Sequence, residues 1–361
     1  MKKRTLCVIF GGRSSEYTVS LRSAYKLISC ISKEKYDLVR IGKTKSGEWY
    51  LFEGRDEDIL NDTWHKDKDQ RVLIDASKGE LLVVGKYVYA LHIDFVFPVM
   101  HGEYVEDGRI QGLFDVAGIP YLGCGAFCSH ICMDKSLAKA GAQSLGVSVA
   151  HSLLIKMGKN GEYLLNGEKI DLLGIKALLN KMKIGYPVFV KPTMCGSSVG
   201  VSRVQDGMEL KSALELALGY GDSALIEECI HGYEVELGVL EINGEPTASC
   251  VGMIRHSSEF YDYNTKYESG GADCIIPAPI DEKTAAYIRD IGKRLFLHFG
   301  CVGFARFDFF VSRCGKVIFN EVNTMPGFTS GSMFAMLFNA TGVDMDLIID
   351  SLVNSAKGKR R

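Results

Sequence analysis

GFARFDFFVSRCGKVIFNEVN, residues 303–323, is the stretch on which the fold turns. Two Phe- and Val-rich runs, Val302–Val311 and Lys316–Glu321, read as strands joined by a short turn. Residues two apart on a strand share a face, so the spacing predicts that Arg306 and Asp308 point together, as do Glu321 and Asn323. Two carboxylates and an amide make an all-oxygen set suited to Mg²⁺, which completes its shell with waters and substrate phosphates. Arg306 beside them suits charge developing on a phosphoryl group or an oxyanion. The bland alternative is a solvated salt-bridge face. However, these charges are threaded among Phe304, Phe307, Phe309, Phe310 and Phe319, where they need partners, and a metal is one.

Outward from this stretch, the 361 residues predict two or three domains at roughly 100 to 200 residues each. With 47% hydrophobic and 24% charged residues, the composition excludes a disordered or fibrous chain. Lys and Arg number 42 against 44 Asp and Glu, a net charge of −2, and that balance argues against a nucleic-acid partner. No run approaches the ~18 apolar residues of a membrane span. Leu6–Phe10 is too short for a secretion signal and reads as a buried first strand. Eleven cysteines, an odd number in a chain too long to need staples, point to reduced thiols and a cytoplasmic location. Cys124, Cys128 and Cys132 recur every four residues, a spacing that could hold a soft metal. With no second pair at zinc-like spacing, buried packing is the preferred reading.

Along the first third, short apolar runs alternate with helical patterns, the signature of βαβ units around a mostly parallel sheet. Thr5–Phe10 and Asp94–Val99 read as strands, and Glu16–Ile31, Arg109–Val116 and Met133–Leu145 as helices. Gly158–Lys169 reads as a polar, turn-rich insertion. After Gly185, Pro187–Lys191, Val199–Val204, Ala224–Glu228 and Glu234–Ile242 follow as strands, an α+β arrangement. His256–Ala272 reads as a long functional loop, and Glu282–Phe299 as a helix. The fold class is therefore α/β followed by α+β, with Lys357–Arg361 as a solvated tail.

Two motif matches are decoys. Gly42-Lys43-Thr44 ends like a Walker A loop, but Asp37 stands where the first glycine is needed. Gly196-Ser197-Ser198-Val199-Gly200 matches the nucleophile elbow of a serine hydrolase, yet that elbow requires a helix after Ser198 and the following residues read as strand. The same loop, after a strand ending in Lys191-Pro192, can instead fold over a polyphosphate, offering backbone N–H groups and hydroxyls, with Lys191 as a point charge. An ordinary hairpin is the bland reading, and the loop alone does not choose. At the other end, Gly11-Gly12-Arg13-Ser14-Ser15-Glu16 joins the first strand to a helix and could bind an anion. Glu16 could serve the helix dipole or hold a substrate ammonium.

Taken together, these segments resemble the D-alanine-D-alanine ligase family of the ATP-grasp superfamily. They are Phe10–Glu16 with Val19-Ser20, Phe97–Gly102 with Glu106–Gly108, Met133–Lys135, Tyr186–Pro192, Gly196–Gly200, Phe260–Tyr263 with Lys266-Tyr267, Gly303–Asp308 and Asn320–Ser330, in family order over nearly the whole chain.

The resemblance implies a three-domain ATP-grasp architecture: an N-terminal, Rossmann-like preATP domain (1–123), a central subdomain (124–227) and a C-terminal subdomain with the metal site (228–361). ATP lies between the last two. It implies phosphate contacts from Lys135 and Lys191 with Ser198 in the covering loop, an adenine hinge of Glu227, Glu228 and Ile230, and Glu234 at the ribose. Asp308, Glu321 and Asn323 would hold two Mg²⁺ or Mn²⁺. Glu16, Ser197 and Tyr267 would bind the first D-alanine, while Arg306 and the Gly327 amide face the oxyanion. His101, Lys266, Ser332 and Met333 would bind substrate, with Ser332 and Lys266 at the second carboxylate. A homodimer making D-alanyl-D-alanine for peptidoglycan is the implied assembly and product. Tyr267 disfavours a D-lactate product. Ser46–Tyr50 and Ile59–Trp64 resemble the vancomycin-resistance D-alanine-D-serine ligases, the alternative activity, whereas the apolar Met333 suits a methyl better than a hydroxyl. From another class, a non-catalytic ATP-binding paralogue is opposed by the intact Lys191, Arg306, Asp308, Glu321 and Asn323.

Overall fold

Leu6, Cys7, Val8, Ile9 and Phe10 are all fully buried, and a strand apolar on both faces must lie between layers. In the computed structural model, which describes residues 3–66, 69–255, 273–329 and 331–357, their strand Arg4–Gly11 is inside a seven-stranded sheet. Parallel neighbours Tyr36–Lys43 and Phe95–Pro98 flank it. Trp49–Leu51, Arg71–Asp75, Glu80–Val84 and Val88–Leu91 extend the sheet by antiparallel pairing. The expected parallel arrangement thus covers three strands. The turns joining the last three strands are far too short for the crossovers that parallel pairing needs.

The first strand leaves the sheet through Gly11 and Gly12, both left-handed, and a Cβ on Gly11 would stand 2.2 Å from the Lys43 carbonyl oxygen. Only glycine allows that turn. It feeds the helix Tyr17–Cys30, whose Tyr17, Leu21, Ala24, Leu27 and Ile28 form a buried stripe, and leaves Glu16 at the helix N-terminus.

A second sheet, of six antiparallel strands, runs in the order Glu168–Ile170, Tyr163–Leu165, Ser152–Met157, Ser223–Glu228, Val188–Pro192, Ser202–Val204. Helices Leu172–Lys181 and Leu210–Leu218 cover it through Ile175, Leu179, Leu210 and Leu214. The insertion Gly158–Lys169 contributes its outer hairpin rather than plain turns. Asn166 and Gly167 at φ 52° and 88° supply the tight turn.

The third sheet, five antiparallel strands, runs Asp273–Ile275, Glu245–Arg255, Gly232–Ile242, Phe304–Ser312, Val317–Asn323. One face, with Val235, Leu237, Phe307 and Phe309, packs on helix Glu282–His298 and on the helices Ala126–Met133 and Lys135–Ser144. On the other face, Leu240 and Phe304 join the core of the first sheet. Phe97 meets Phe304 and Phe328 edge-on at 6.1 and 5.7 Å between centroids, and Phe304 meets Phe334 at 5.6 Å. Such pairs are worth about 0.5–1.5 kcal/mol each beyond area burial, so this knot ties the first sheet to the third. Helix Met333–Ala340 lies flat on the sheet because Gly238 and Gly252 leave room, a Cβ on either coming within 2.7 Å of Phe338 or Leu337. No helix among the described residues is long and apolar enough to cross a membrane.

Candidate active site

Alternation along Phe304–Ser312 sends Phe304, Arg306 and Asp308 to one face and Phe307 and Phe309 to the helix-covered core. Arg306 pairs in register with Asn323 and Asp308 with Glu321, but the next pair is Phe309 with Phe319. Asn320 is therefore the extra residue of a β-bulge, a device that re-aims side chains beside active sites. It lets Phe319 and Val322 both enter the core, while Asn320 meets Lys191 Nζ at 3.4 Å and Glu321 meets Lys135 Nζ at 3.2 Å.

Glu236 arrives opposite Asp308 from the neighbouring strand. Arg306 sits between the two acids: Nε and Nη2 donate to Asp308 at 2.8 Å each, and Nε is 3.1 Å from Glu236 Oε2. Burial opposes the Arg306 charge, yet Asp308 and Glu236 hold its pKa well above the ordinary value. Burial likewise pushes the Asp308 carboxyl up, against the pull of Arg306.

The helix Lys135–Ser144 begins at Asp134, whose carboxylate accepts from the Ser136 and Leu137 amides. It presents buried Lys135 and Lys139 one turn apart. Lys135 Nζ donates to the Cys195 carbonyl at 2.7 Å. Lys139 Nζ stands 3.0 Å from Glu227 Oε1, and Lys191 Nζ 2.8 Å from Oε2 of the same carboxylate. Burial works against ionising Glu227, and the two lysines nonetheless hold its pKa below the ordinary value. Burial lowers Lys139 to about 8.

From the first sheet, Glu16 accepts a hydrogen bond from the Ser197 hydroxyl. Ser197 and Ser198 are both left-handed, at φ 52° and 57°, in a turn followed by the short strand Ser202–Val204 instead of a helix, so the hydrolase elbow is absent. His101 Nε2 lies 3.0 Å from Ser23 Oγ and Nδ1 3.4 Å from Glu106 Oε1. Burial opposes charging His101, but Glu106 and Glu16 lift its pKa. Ser332 stands just before the helix Met333–Ala340, its hydroxyl 2.8 Å from Thr329 Oγ1, and a Cβ on Gly327 would meet it at 2.8 Å.

These groups line one cleft of about 660 Å³: Glu16, His101, Lys135, Ser197, Arg306, Glu321, Asn323, Gly327, Ser332 and Met333. Asp308, Lys191 and Glu227 lie behind it, buried and tied in by the pairs above. Glu228 is turned to the His151 amide, Ile230 is half-buried, and Glu234 pairs in register with Phe310 on the third sheet. Lys266 and Tyr267 lie outside the described residues, as does the expected loop 256–272. Three residues were not singled out from the sequence. Glu236 could have been found two positions from Glu234 on one strand, and Lys139 four positions from Lys135 on one helix, but Asn320 carries no signal apart from the bulge.

All eleven cysteines are free. Cys124, Cys128 and Cys132 are buried with Cys301 in the core beneath the third sheet, Cys128 Sγ resting 3.6 Å from Cys301 Sγ. Contacts with neighbouring thiols and burial hold Cys124 and Cys132 well above the ordinary thiol range, and the sulfurs of Cys124, Cys128 and Cys301 lie within 4.8 Å of one another.

Comparison with known proteins gives one answer. A family profile described as "D-ala D-ala ligase N-terminus" matches residues 5–124 and one described as "D-ala D-ala ligase C-terminus" matches residues 174–354. The D-alanine-D-alanine ligase of Acetivibrio thermocellus is 41% identical, covering 98% of this chain and 96% of its own. That of Caldicellulosiruptor bescii is 40% identical, covering 100% and 97%. Among solved structures, the VanG D-Ala:D-Ser ligase of Enterococcus faecalis superposes with a TM-score of 0.85 at 36% identity, over 98% of this chain and 100% of that one. The D-alanine-D-alanine ligase of Coxiella burnetii gives 0.85 at 28% identity, over 99% and 95%.

Proposed function

This chain belongs to the D-alanine-D-alanine ligase family of ATP-dependent ligases, and from that premise we propose that it joins two D-alanines through an acyl phosphate to supply peptidoglycan dipeptide. The observation that carries the reading is the convergence in one cleft of Glu16 and Ser197 with Arg306, Glu321 and Asn323.

A carboxylate is a poor acyl donor until its oxygen becomes a phosphate leaving group. ATP therefore phosphorylates the first D-alanine, whose ammonium is held by Glu16 with Ser197, and the second amine attacks the acyl phosphate. Arg306 and the Gly327 amide face the oxyanion of the tetrahedral intermediate. Ser332 and Lys266 take the second carboxylate, with Met333 against its methyl and His101 also binding substrate. Tyr267, as the family resemblance implies, joins Glu16 and Ser197 at the first D-alanine. Lys135, Lys191 and Ser198 hold phosphates, Glu227, Glu228 and Ile230 flank adenine, and Glu234 meets the ribose.

The donor set of Asp308, Glu321 and Asn323, all oxygen and on adjacent register pairs, fits Mg²⁺ or Mn²⁺. Two such ions bound there would offset charge on the transferred phosphoryl group. A cytoplasmic homodimer is the setting that goes with this reading.

Mass-identified product from ATP, Mg²⁺ and D-alanine tests it. Alanyl-alanine as the product supports a housekeeping ligase, and no phosphate release with any D-amino acid overturns the reading. Likeness to the D-Ala:D-Ser ligase at 36% identity keeps a second reading, D-serine as second substrate. A mixed dipeptide dominating at equal D-alanine and D-serine would favour it, because a pocket that admits a hydroxyl discriminates weakly.

A further inference from the structure

Lys139 has no place in the reaction just described, yet it is only 3% exposed in the wall between the second and third sheets. A buried ammonium is costly unless it is paired, and its partner at 3.0 Å is Glu227 Oε1, reached without hydrogen-bond alignment. Lys191 takes the other oxygen of that carboxylate at 2.8 Å and continues to Asn320. One helical turn earlier, Lys135 links the same helix to Glu321. Glu227 is thus held between two cations, one from the phosphate-binding strand and one from the helix.

We propose that Lys139 is a positioning residue for nucleotide selection: it keeps Glu227 ionised and fixed, so that the carboxylate acts purely as an acceptor toward the base. This rests on the reading of Glu227 as part of the adenine hinge. An ionised carboxylate has no donor to offer, so it matches the 6-amino group of adenine and repels the 6-oxo group of hypoxanthine. Without Lys139, only Lys191 opposes the effect of burial on Glu227, and its protonated fraction grows. A protonated Glu227 can donate to a 6-oxo group, and the preference for ATP over ITP falls.

The test is steady-state kinetics of the full chain with Lys139→Met, Lys139→Arg, Glu227→Gln and the Lys139→Met/Glu227→Gln pair, varying ATP and then ITP, with thermal unfolding in parallel. The expected result for Lys139→Met is an ATP KM raised about tenfold with kcat changed less than about threefold, as befits loss of a charged contact. The ATP-to-ITP ratio falls in step, and Lys139→Arg restores most of the loss. Adding Lys139→Met to Glu227→Gln produces no further rise. An unchanged ATP KM, a loss confined to kcat, or full additivity of the pair overturns the inference. If Lys139→Met unfolds, Lys139→Arg against Glu227→Gln decides it on the same ratio. Absence of D-alanine-dependent turnover in the unsubstituted chain would overturn the ligase reading alone. Lys139 is then judged by calorimetric ATP binding, where a tenfold loss supports the inference and equal affinity overturns it.

Discussion

The Ser197 hydroxyl donates to the Glu16 carboxylate across 181 positions of sequence, joining the loop after the second sheet's Lys191 strand to the N-terminus of the first helix. The contact lines the same cleft as Arg306 and Ser332. Removing the hydroxyl takes from Glu16 the hydrogen bond that ties it to this loop. Ser197→Ala is expected to raise the KM for the first D-alanine by about tenfold, the scale of one hydrogen bond to a charged group, and to leave the ATP KM nearly unchanged. Initial rates at fixed ATP check this. Equal effects on both substrates would refute the assignment of Ser197 to the amino-acid side.

Arg306→Gln removes a cation held by two buried acids. Loss of one oxyanion donor predicts a fall in kcat of about 10²–10³. Taking the guanidinium from between Asp308 and Glu236 adds a destabilisation of about 3–5 kcal/mol. Denaturant unfolding beside kinetics separates the two. A kcat within threefold of the parent would remove Arg306 from the chemistry.

Phosphate release should vanish when divalent cations are chelated and return with Mg²⁺ or Mn²⁺. Asp308→Ala should lose turnover by at least about 10²-fold, because the oxygen set at Asp308, Glu321 and Asn323 then lacks a carboxylate. Full turnover by Asp308→Ala would contradict the site.

Phe328 is 1% exposed and touches Phe97, Phe304 and Phe334. Phe328→Ala is expected to cost about 3–5 kcal/mol, measured by denaturant unfolding. Since the knot underlies Gly327 and Ser332, the KM for the second D-alanine should rise as well. A loss under 1 kcal/mol would mean that the two sheets are held together elsewhere.

Lys139 titrates near 8 because burial disfavours its charge, with Glu227 pulling its pKa up and Lys191 pushing it down. Below that pH the ammonium pins Glu227, and as pH rises through it the pin is lost. The Glu321 charge also pulls the Lys139 pKa up. The ATP KM is therefore expected to rise several-fold between about pH 7 and pH 9. Lys139→Arg, which does not deprotonate in this range, flattens the profile. An identical rise in Lys139→Arg would assign the pH dependence to another group.

Legibility in the sequence varied with the range of the physical signal. The strand Arg4–Gly11, the helix Tyr17–Cys30 and the helix Glu282–His298 were readable because periodicity and glycine turns act within a few residues. The four antiparallel strands from Trp49 to Leu91 were not distinguished from parallel units. Direction depends on which distant strand is paired, and a short apolar run does not encode that. The Asn166-Gly167 hairpin is legible in principle, since that dipeptide selects a tight turn, although the polarity of Gly158–Lys169 masks the two short strands around it.

By itself the sequence determined that Arg306 and Asp308 share a face and that Glu321 and Asn323 share one, because a strand's period of two is local geometry. It also determined, through residue types, that these faces carry carboxylates, an amide and a guanidinium. Only the tertiary structure decided what neutralises them. Glu236 comes from the adjoining strand, and Lys135 from a helix almost two hundred positions upstream of the acid it meets. The bulge at Asn320 exists only in the pairing of Val317–Asn323 with Phe304–Ser312. Ion pairs and registers join segments far apart in the chain, and the energy that selects them appears only when burial removes water from both partners at once.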